Sequence, residues 1–197
     1  EATTAPFLTA AWRNLAVVNF DVDPALLAPY VPVGTELDVW QGRTFVSLVG
    51  FQFVDSRVWG LPIPFHQNFD EVNLRFYVRR RLPDGWRRGV AFIRELAPHR
   101  AIAWTARVLF GENYLTVPMR HDVELPNGDP RSVRQVRYTW RHGGRDGRLS
   151  LAFAGTGSVA AAGSLEEFII EHYWGYSGGA GRRTIEYRVD HPRWKLW

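Results

Sequence analysis

The sequence predicts an α+β domain built on an antiparallel meander that curls or closes, and three observations predict it. Residues 71–78, within a strand read over 69–80, alternate strictly, with Glu71, Asn73, Arg75 and Tyr77 on one side of an extended chain and Val72, Leu74, Phe76 and Val78 on the other. That is the period-2 signature of a β-strand. Turn signals at Pro83-Asp84-Gly85 and Gly143-Gly144-Arg145-Asp146-Gly147 separate extended runs that read as hairpins. Only two or three helical stretches interrupt them, and no strand–helix–strand repetition points to a parallel sheet. With 197 residues, 46% of them hydrophobic, the chain is long enough for one sizeable core and short for two, so residues 1–197 are expected to form one domain.

In order, residues 7–22 read as a first strand. Asp23-Pro24 then marks a helix start, an N-cap oxygen followed by proline at the first helical position, and a short helix over Ala25–Tyr30 ends before Pro32. Leu37–Trp40 and Arg43–Val54 read as a hairpin across Gln41-Gly42. Gly60–Pro64 is expected to be a loop, because two prolines two apart do not sit in a central strand. The strand at 69–80 returns through Trp86–Leu96. His99–Phe110 changes to helical period, with Ile102, Ala106, Leu109 and Phe110 on one face and Gly111 at the C-terminal cap. Tyr114–Leu125 is extended, Pro126–Pro130 turns, and Ser132–His142 and Leu149–Ala154 form a further pair. Ser164-Leu-Glu-Glu167 is a capping box that opens a helix running to about Trp174. A glycine-rich turn at 178–181 leads to a last strand, Thr184–His191.

Composition removes several function classes. Cysteine is absent, so no disulfide framework, thiolate metal site or cysteine nucleophile exists. No apolar run approaches the ~18–20 residues of a membrane span, and no signal peptide is visible, so a cytoplasmic protein is expected. The net charge of +4 comes from 23 arginines and one lysine, Lys195. The arginines are spread, with small clusters such as Arg79–Arg81, Arg87-Arg88 and Arg182-Arg183. No zinc-finger spacing, RNP motif or basic helix accompanies them, so no nucleic-acid partner is expected. Gly155-Thr-Gly-Ser-Val-Ala160 matches a Gly-x-Gly-x-x-Ala pattern. A pyrophosphate would need a helix starting at once, and the good cap comes later, at Ser164. No two of the six histidines share the spacing of paired metal ligands, and Gly-x-Ser-x-Gly is absent. Neither a metal nor any other cofactor is expected. The polar row from Glu71 to Tyr77 is either a wetted surface or the lining of a pocket. His66, in the loop that feeds it, is either a structural histidine or part of that lining.

Longer motifs add a resemblance. Trp12-Arg-Asn-Leu15, Asp23-Pro-Ala-Leu-Leu27 and Gly42-x-x-Phe-Val-Ser-Leu-Val-Gly-Phe51 form one set. Leu61-Pro-Ile-Pro-Phe-His-x-Asn-Phe-x-Glu-Val-Asn-Leu-Arg-x-Tyr-Val78 forms another, and Val189-Asp-His-Pro-Arg-Trp194 closes the chain. Together they resemble a bacterial family of uncharacterised proteins in the acetoacetate decarboxylase-like superfamily, over nearly the whole chain. The resemblance implies an antiparallel sheet curled into a cone or barrel around a central cavity, often in a homo-oligomer, with the Glu71 row turned inward. In the decarboxylases a lysine forms a Schiff base with a keto acid, and a depressed amine pKa makes it nucleophilic, a case the general rules of covalent catalysis already use as their example. The matching stretch here is Gly111-Glu-Asn-Tyr-Leu115, with Tyr114 where the nucleophile would stand. A tyrosine donates a hydrogen bond but forms no imine. Arg13 resembles the superfamily's arginine near the first strand and would hold a carboxylate. The leading expectation is a small-molecule-binding protein whose polar cavity takes a small anionic or carbonyl compound, lined by Arg13, His66, Glu71, Asn73, Arg75 and Tyr114. Its rivals are a lysine-free acid/base enzyme of lyase or isomerase type on a keto or enol substrate, with Glu71 as base and Tyr114 as donor, and a structural or partner-binding protein whose cavity is filled by its own aromatics.

Overall fold

The computed structural model describes residues 6–62, 64, 66–124, 135–153, 156–178 and 183–197. The first half comprises β1 (Leu8–Val22), α1 (Pro24–Leu27) continued by a 3-10 turn, β2 (Glu36–Leu37), β3 (Thr44–Val58), β4 (Leu61–Pro62), β5 (Phe69–Leu82) and β6 (Gly85–Ala97). Next come α2 (Arg100–Phe110), β7 (Tyr114–Thr116), β8 (Met119–Glu124), β9 (Gln135–His142) and β10 (Arg145–Ala152). The chain ends with β11 (Ser158–Val159), α3 (Leu165–Ile170), β12 (Trp174–Ser177), β13 (Ile185–Arg188) and β14 (Lys195–Leu196). Among the described residues no helix is long and apolar enough to cross a membrane.

The main sheet runs β1-β3-β5-β6-β12-β13, with β2, β4 and β7 paired at its margins. Along β5 the predicted alternation holds. Val72, Phe76 and Val78 are buried on one face, while Glu71, Asn73 and Tyr77 are buried on the other. The apolar face is covered twice. Tyr138, Val136 and Leu149 of the separate β8–β9–β10 sheet pack on Ala16 and Val72. Leu27 of α1 joins Phe76, Val78, Ala91 and Tyr176. On the polar face, Phe168 and Ile169 of α3 pack on Phe45, Tyr77 and Val90. The α3 start is the predicted one, since Ser164 Oγ accepts from Glu167 N–H. The Glu167 carboxylate, however, accepts from Gly163 N–H at 2.7 Å rather than from the cap residue itself.

Several expectations are corrected. Among the described residues no sheet closes into a cone or barrel. The main sheet ends at β1 and β13, and the strands available to continue it, β8–β10, stack face-on over it instead. Parallel pairing does occur. β6, α2 and β7 form a strand–helix–strand unit with Glu95 opposite Tyr114, and β12 also runs parallel to β6. Both partners are only three or four residues long, too short for periodicity to announce them. Residues 36–37 pair with β5, so the turn at Gln41-Gly42 closes only a Trp40–Arg43 bridge. Leu61–Pro62 is a short edge strand, a place that tolerates proline. The run from Tyr114 breaks at Pro118 and feeds two sheets. The last helix ends at Ile170, because Tyr176, fully buried against Phe76 and Ala91, draws the following segment into β12. The turns predicted at 126–130 and 179–181 and the first glycine of the Gly-x-Gly pattern lie outside the described residues.

Candidate functional site

The polar face of β5 builds a cluster of three buried carboxyls. Glu71 sits opposite Phe51, and Asn73 lies between Val49 on β3 and Glu95 on β6. The parallel register places Tyr114 beside Glu95. Helix α2 ends at Gly111 in the left-handed region (φ 65), as its capping pattern predicts, and the reversal sets Glu112 at the start of the link to β7. Arg107, in the last helical turn, donates through Nε to the Tyr114 carbonyl oxygen at 2.8 Å and ties that link to the helix. Glu71, Asn73, Glu95, Glu112 and Tyr114 are each at most 8% exposed.

Hydrogen bonds assign the protons. Tyr114 Oη donates to Glu71 Oε2 at 2.5 Å, and Asn73 Nδ2 donates to Glu71 Oε1 at 2.9 Å. Tyr187 Oη, reaching over from β13, donates to Glu112 Oε1 at 2.6 Å. Glu95 and Glu112 share a hydrogen bond, which two carboxyls form only when one keeps its proton. Burial pushes Glu71 up to about 7 from the usual 4.5, against the pull of Tyr114, Asn73 and the Arg75 charge. Burial likewise pushes Glu112 up to about 7, opposed by the bonds from Tyr187 and Glu95. Glu95 rises well above the carboxylate range, through burial first and then through the charges of Glu112 and Glu71. Burial and the same carboxylates raise both phenols, so they remain donors. Of the three, Glu95 is thus the carboxyl that burial and its neighbours' charges bias most toward the protonated form, while Glu71 and Glu112 exchange protons around pH 7.

An opening touches the edge of this cluster at Glu112. β6 pairs with β12 at Val90 and with β7 from Glu95 onward. Between these points Asn113 Nδ2 donates to the Ile93 carbonyl oxygen in place of a strand neighbour. An open cleft of about 460 Å³ lies there, lined by Tyr30, Arg107, Glu112, Asn113, Tyr176 and Ser177 among others. Glu112 thus borders both the cleft and the buried cluster. Gly175 keeps the second phenol in place. A Cβ there would sit 2.2 Å from Tyr187 Cζ. Gly175→Ala is expected to lower stability by about 1–3 kcal/mol, the usual cost of overpacking, and to move Tyr187 off Glu112. Urea unfolding checks the first effect and the tyrosine ultraviolet difference spectrum the second.

Of the residues the sequence singled out, the structure brings together Glu71, Asn73 and Tyr114, with Arg75 further along the same face. Arg13 is corrected. It is exposed on β1 opposite Gln52, whose side chain bonds Asn14, Asp70 and His121, so it lies on the other side of the sheet from Glu71. His66 lies apart from the cluster. Its Nδ1 is 2.8 Å from the Pro64 carbonyl oxygen, and its ring stands edge-on to His99 at 4.6 Å. Lys195 is exposed on β14, paired with Val159. Glu95, Glu112 and Tyr187 were not foreseen. A β-bulge opposite Leu74 and Arg75 breaks the alternation that would have marked Glu95, and nothing local distinguishes the other two. Among the described residues no group of three His, Asp or Glu side chains is arranged to hold a metal ion.

Comparison with solved structures gives the class of fold. An acetoacetate decarboxylase-like enzyme from Sphingomonas wittichii RW1 superposes with a TM-score of 0.60 at 16% identity, covering 91% of this chain and 70% of that one. Acetoacetate decarboxylase from Legionella pneumophila gives 0.56 at 14% identity, over 93% and 68%. The enduracididine biosynthesis enzyme MppR, complexed with the condensation product of pyruvate and imidazole 4-carboxaldehyde, gives 0.59 at 14%, over 81% and 60%. The chain has an acetoacetate decarboxylase-like fold. Residues 9–197 match the DUF2071 family, whose description reads "Uncharacterized conserved protein", and the chain belongs to that family. The uncharacterized protein YqjF of Bacillus subtilis (strain 168) is 31% identical over 119 residues. Those residues are 60% of this chain but only 46% of that relative's length.

Proposed function

We propose that this chain is a lysine-free acid/base enzyme acting on a small carbonyl compound, with Glu71 as the base. One observation carries the reading. Glu71 is buried, stands near pH 7 in its proton equilibrium, and is held by the Tyr114 hydroxyl and the Asn73 amide. A base is most effective when its pKa lies near the working pH. A binding site with no chemistry has no need of three buried carboxyls, each costly to bury. Glu71 takes a proton from the carbon next to the carbonyl, and the electron pair moves toward the carbonyl oxygen as an enolate. The Tyr114 hydroxyl steadies the Glu71 carboxylate before transfer. Glu95 and Glu112 pass protons between Glu71 and the cleft, returning the base to its starting state. Bound pyruvate chemistry in MppR supports a carbonyl substrate by likeness of fold alone.

The test is proton–deuterium exchange. Pyruvate, 2-oxobutanoate, acetoacetate and acetylacetone are incubated with the protein in D2O and followed by proton NMR. Protein-dependent loss of the signal next to the carbonyl is expected for at least one. No exchange above buffer with any of them between pH 5 and 9 would sink the proposal. Borohydride reduction during the same incubations is expected to leave the protein mass unchanged, because the only lysine, Lys195, lies on β14. A stoichiometric adduct on Lys195 would show that an amine does reach the substrate.

A further inference from the structure

Further along the face that carries Glu71, the chain gathers nitrogen donors. Arg75 Nη2 donates to the Ile169 carbonyl oxygen at 3.1 Å, while its buried Nε has no partner among the described residues. Arg88 Nε donates to the buried Asp38 carboxylate at 2.5 Å, while its buried Nη2 has none. His172 is 6% exposed; neither ring nitrogen makes a hydrogen bond of good geometry, and the Ile169 carbonyl that accepts from Arg75 is the backbone group that favours a proton on it. All three surround one pair of rings. The Arg75 guanidinium lies 5.9 Å from the Tyr77 centroid and that of Arg88 lies 4.6 Å from Phe168. The His172 ring is 4.9 Å from Tyr77 and 6.0 Å from Phe168.

Buried polar groups are overwhelmingly paired, so the position of the exceptions is informative. Among the described residues seven buried side-chain atoms lack a partner. All but Ser56 Oγ belong to Asn73, Glu95, Arg75, Arg88 and His172. They follow the polar face from the carboxyl cluster to the two arginines. Guanidinium N–H groups match the oxygens of a carboxylate. The side chain of Arg88 remains 38% exposed, so the group borders solvent on that side. We propose that Arg75, Arg88 and His172 form an anion subsite that takes the carboxylate of a short oxo acid whose carbonyl lies toward Glu71. The orientation of the acid rests on the acid/base reading above; the anion subsite does not.

Binding there changes the imidazole. Burial holds His172 neutral, reinforced by the charges of Arg88 on β6 and Arg75 on β5, with a smaller push from His191. Asp38 faces Arg88, and Glu71 faces Arg75. A carboxylate between the arginines offsets their charge and lets His172 take a proton.

The experiment uses the full chain with 15N-labelled histidine, titrated with sodium acetate and then sodium pyruvate at fixed ionic strength. His172→Gln assigns the resonances. A saturable shift of the His172 ring nitrogens toward the protonated form is expected. Arg75→Gln should weaken acetate binding about tenfold or more, the scale of one hydrogen bond to a charged group. Arg145→Gln, at the far turn between β9 and β10, should leave it unchanged. If Arg75→Gln fails to fold, Arg88→Lys keeps the charge and removes the Nη2 donor, and the same weakening is expected. A shift that never saturates, or wild-type affinity for acetate in the folded Arg75 or Arg88 variant, overturns the subsite. Acetate binding without carbon–hydrogen exchange leaves the subsite standing and sinks the acid/base reading. Exchange without acetate binding does the reverse.

Discussion

Glu71→Gln is expected to slow deuterium exchange into the carbonyl substrate about 10²–10⁴-fold, the usual contribution of a positioned base. The substitution suits the site. A glutamine oxygen still accepts from Tyr114 Oη, and with the Asn73 amide flipped its NH2 donates to Asn73 Oδ1, which has no partner now. Folding is thus preserved while the proton-accepting charge is lost. Tyr114→Phe should cost only about tenfold, because it removes a neutral hydrogen bond of about 0.5–1.5 kcal/mol. The exchange rate of the wild type should rise with pH and level off above about 7, where Glu71 is ionised. Equal rates in wild type and Glu71→Gln would remove Glu71 from the chemistry.

The second large effect is on stability. Glu71 titrates near 7 in the folded chain and near 4.5 when exposed. A carboxyl raised on folding contributes stability that is fully present below the unfolded value and is lost as pH rises through the folded one. The contribution is therefore intact below about pH 4.5 and gone above about pH 7, a swing of about 2–3 kcal/mol between pH 5 and 8. Glu71→Gln does not titrate. Relative to wild type it should gain that amount of stability between pH 5 and 8, read from urea midpoints at the two pH values. Parallel pH profiles for the two proteins would show that the carboxyl is already solvated.

The organising strand was legible because burial on both faces still leaves a period-2 record, apolar on one side and polar on the other. Its polar side carried Glu71 and Asn73 into view directly. The capping signals at Asp23, Gly111 and Ser164 were legible for the same local reason. Strand partners were not. Nothing in Tyr114–Leu115 or Trp174–Ser177 records that both run parallel to β6. Closure of the sheet, expected from the hairpin pattern and from the resemblance, fails among the described residues where β8–β10 stack on the sheet instead of extending it. Arg13 was chosen by position, but pairing with Gln52 turns it away. Glu95, Glu112 and Tyr187 meet only through long-range contacts, and a single sequence carries no trace of such meetings.

The protons kept inside the fold alter how the molecule moves in an electric field. The formal charge of +4 counts every carboxyl as ionised. Burial raises Glu95 well above the carboxylate range, and Glu71 and Glu112 stand near 7. At neutral pH the folded protein therefore carries more positive charge than its composition states. Unfolding releases those protons, so native and denatured chains should migrate at different effective charge in free-solution electrophoresis at neutral pH. The difference should vanish below about pH 4, where even exposed carboxyls keep their protons.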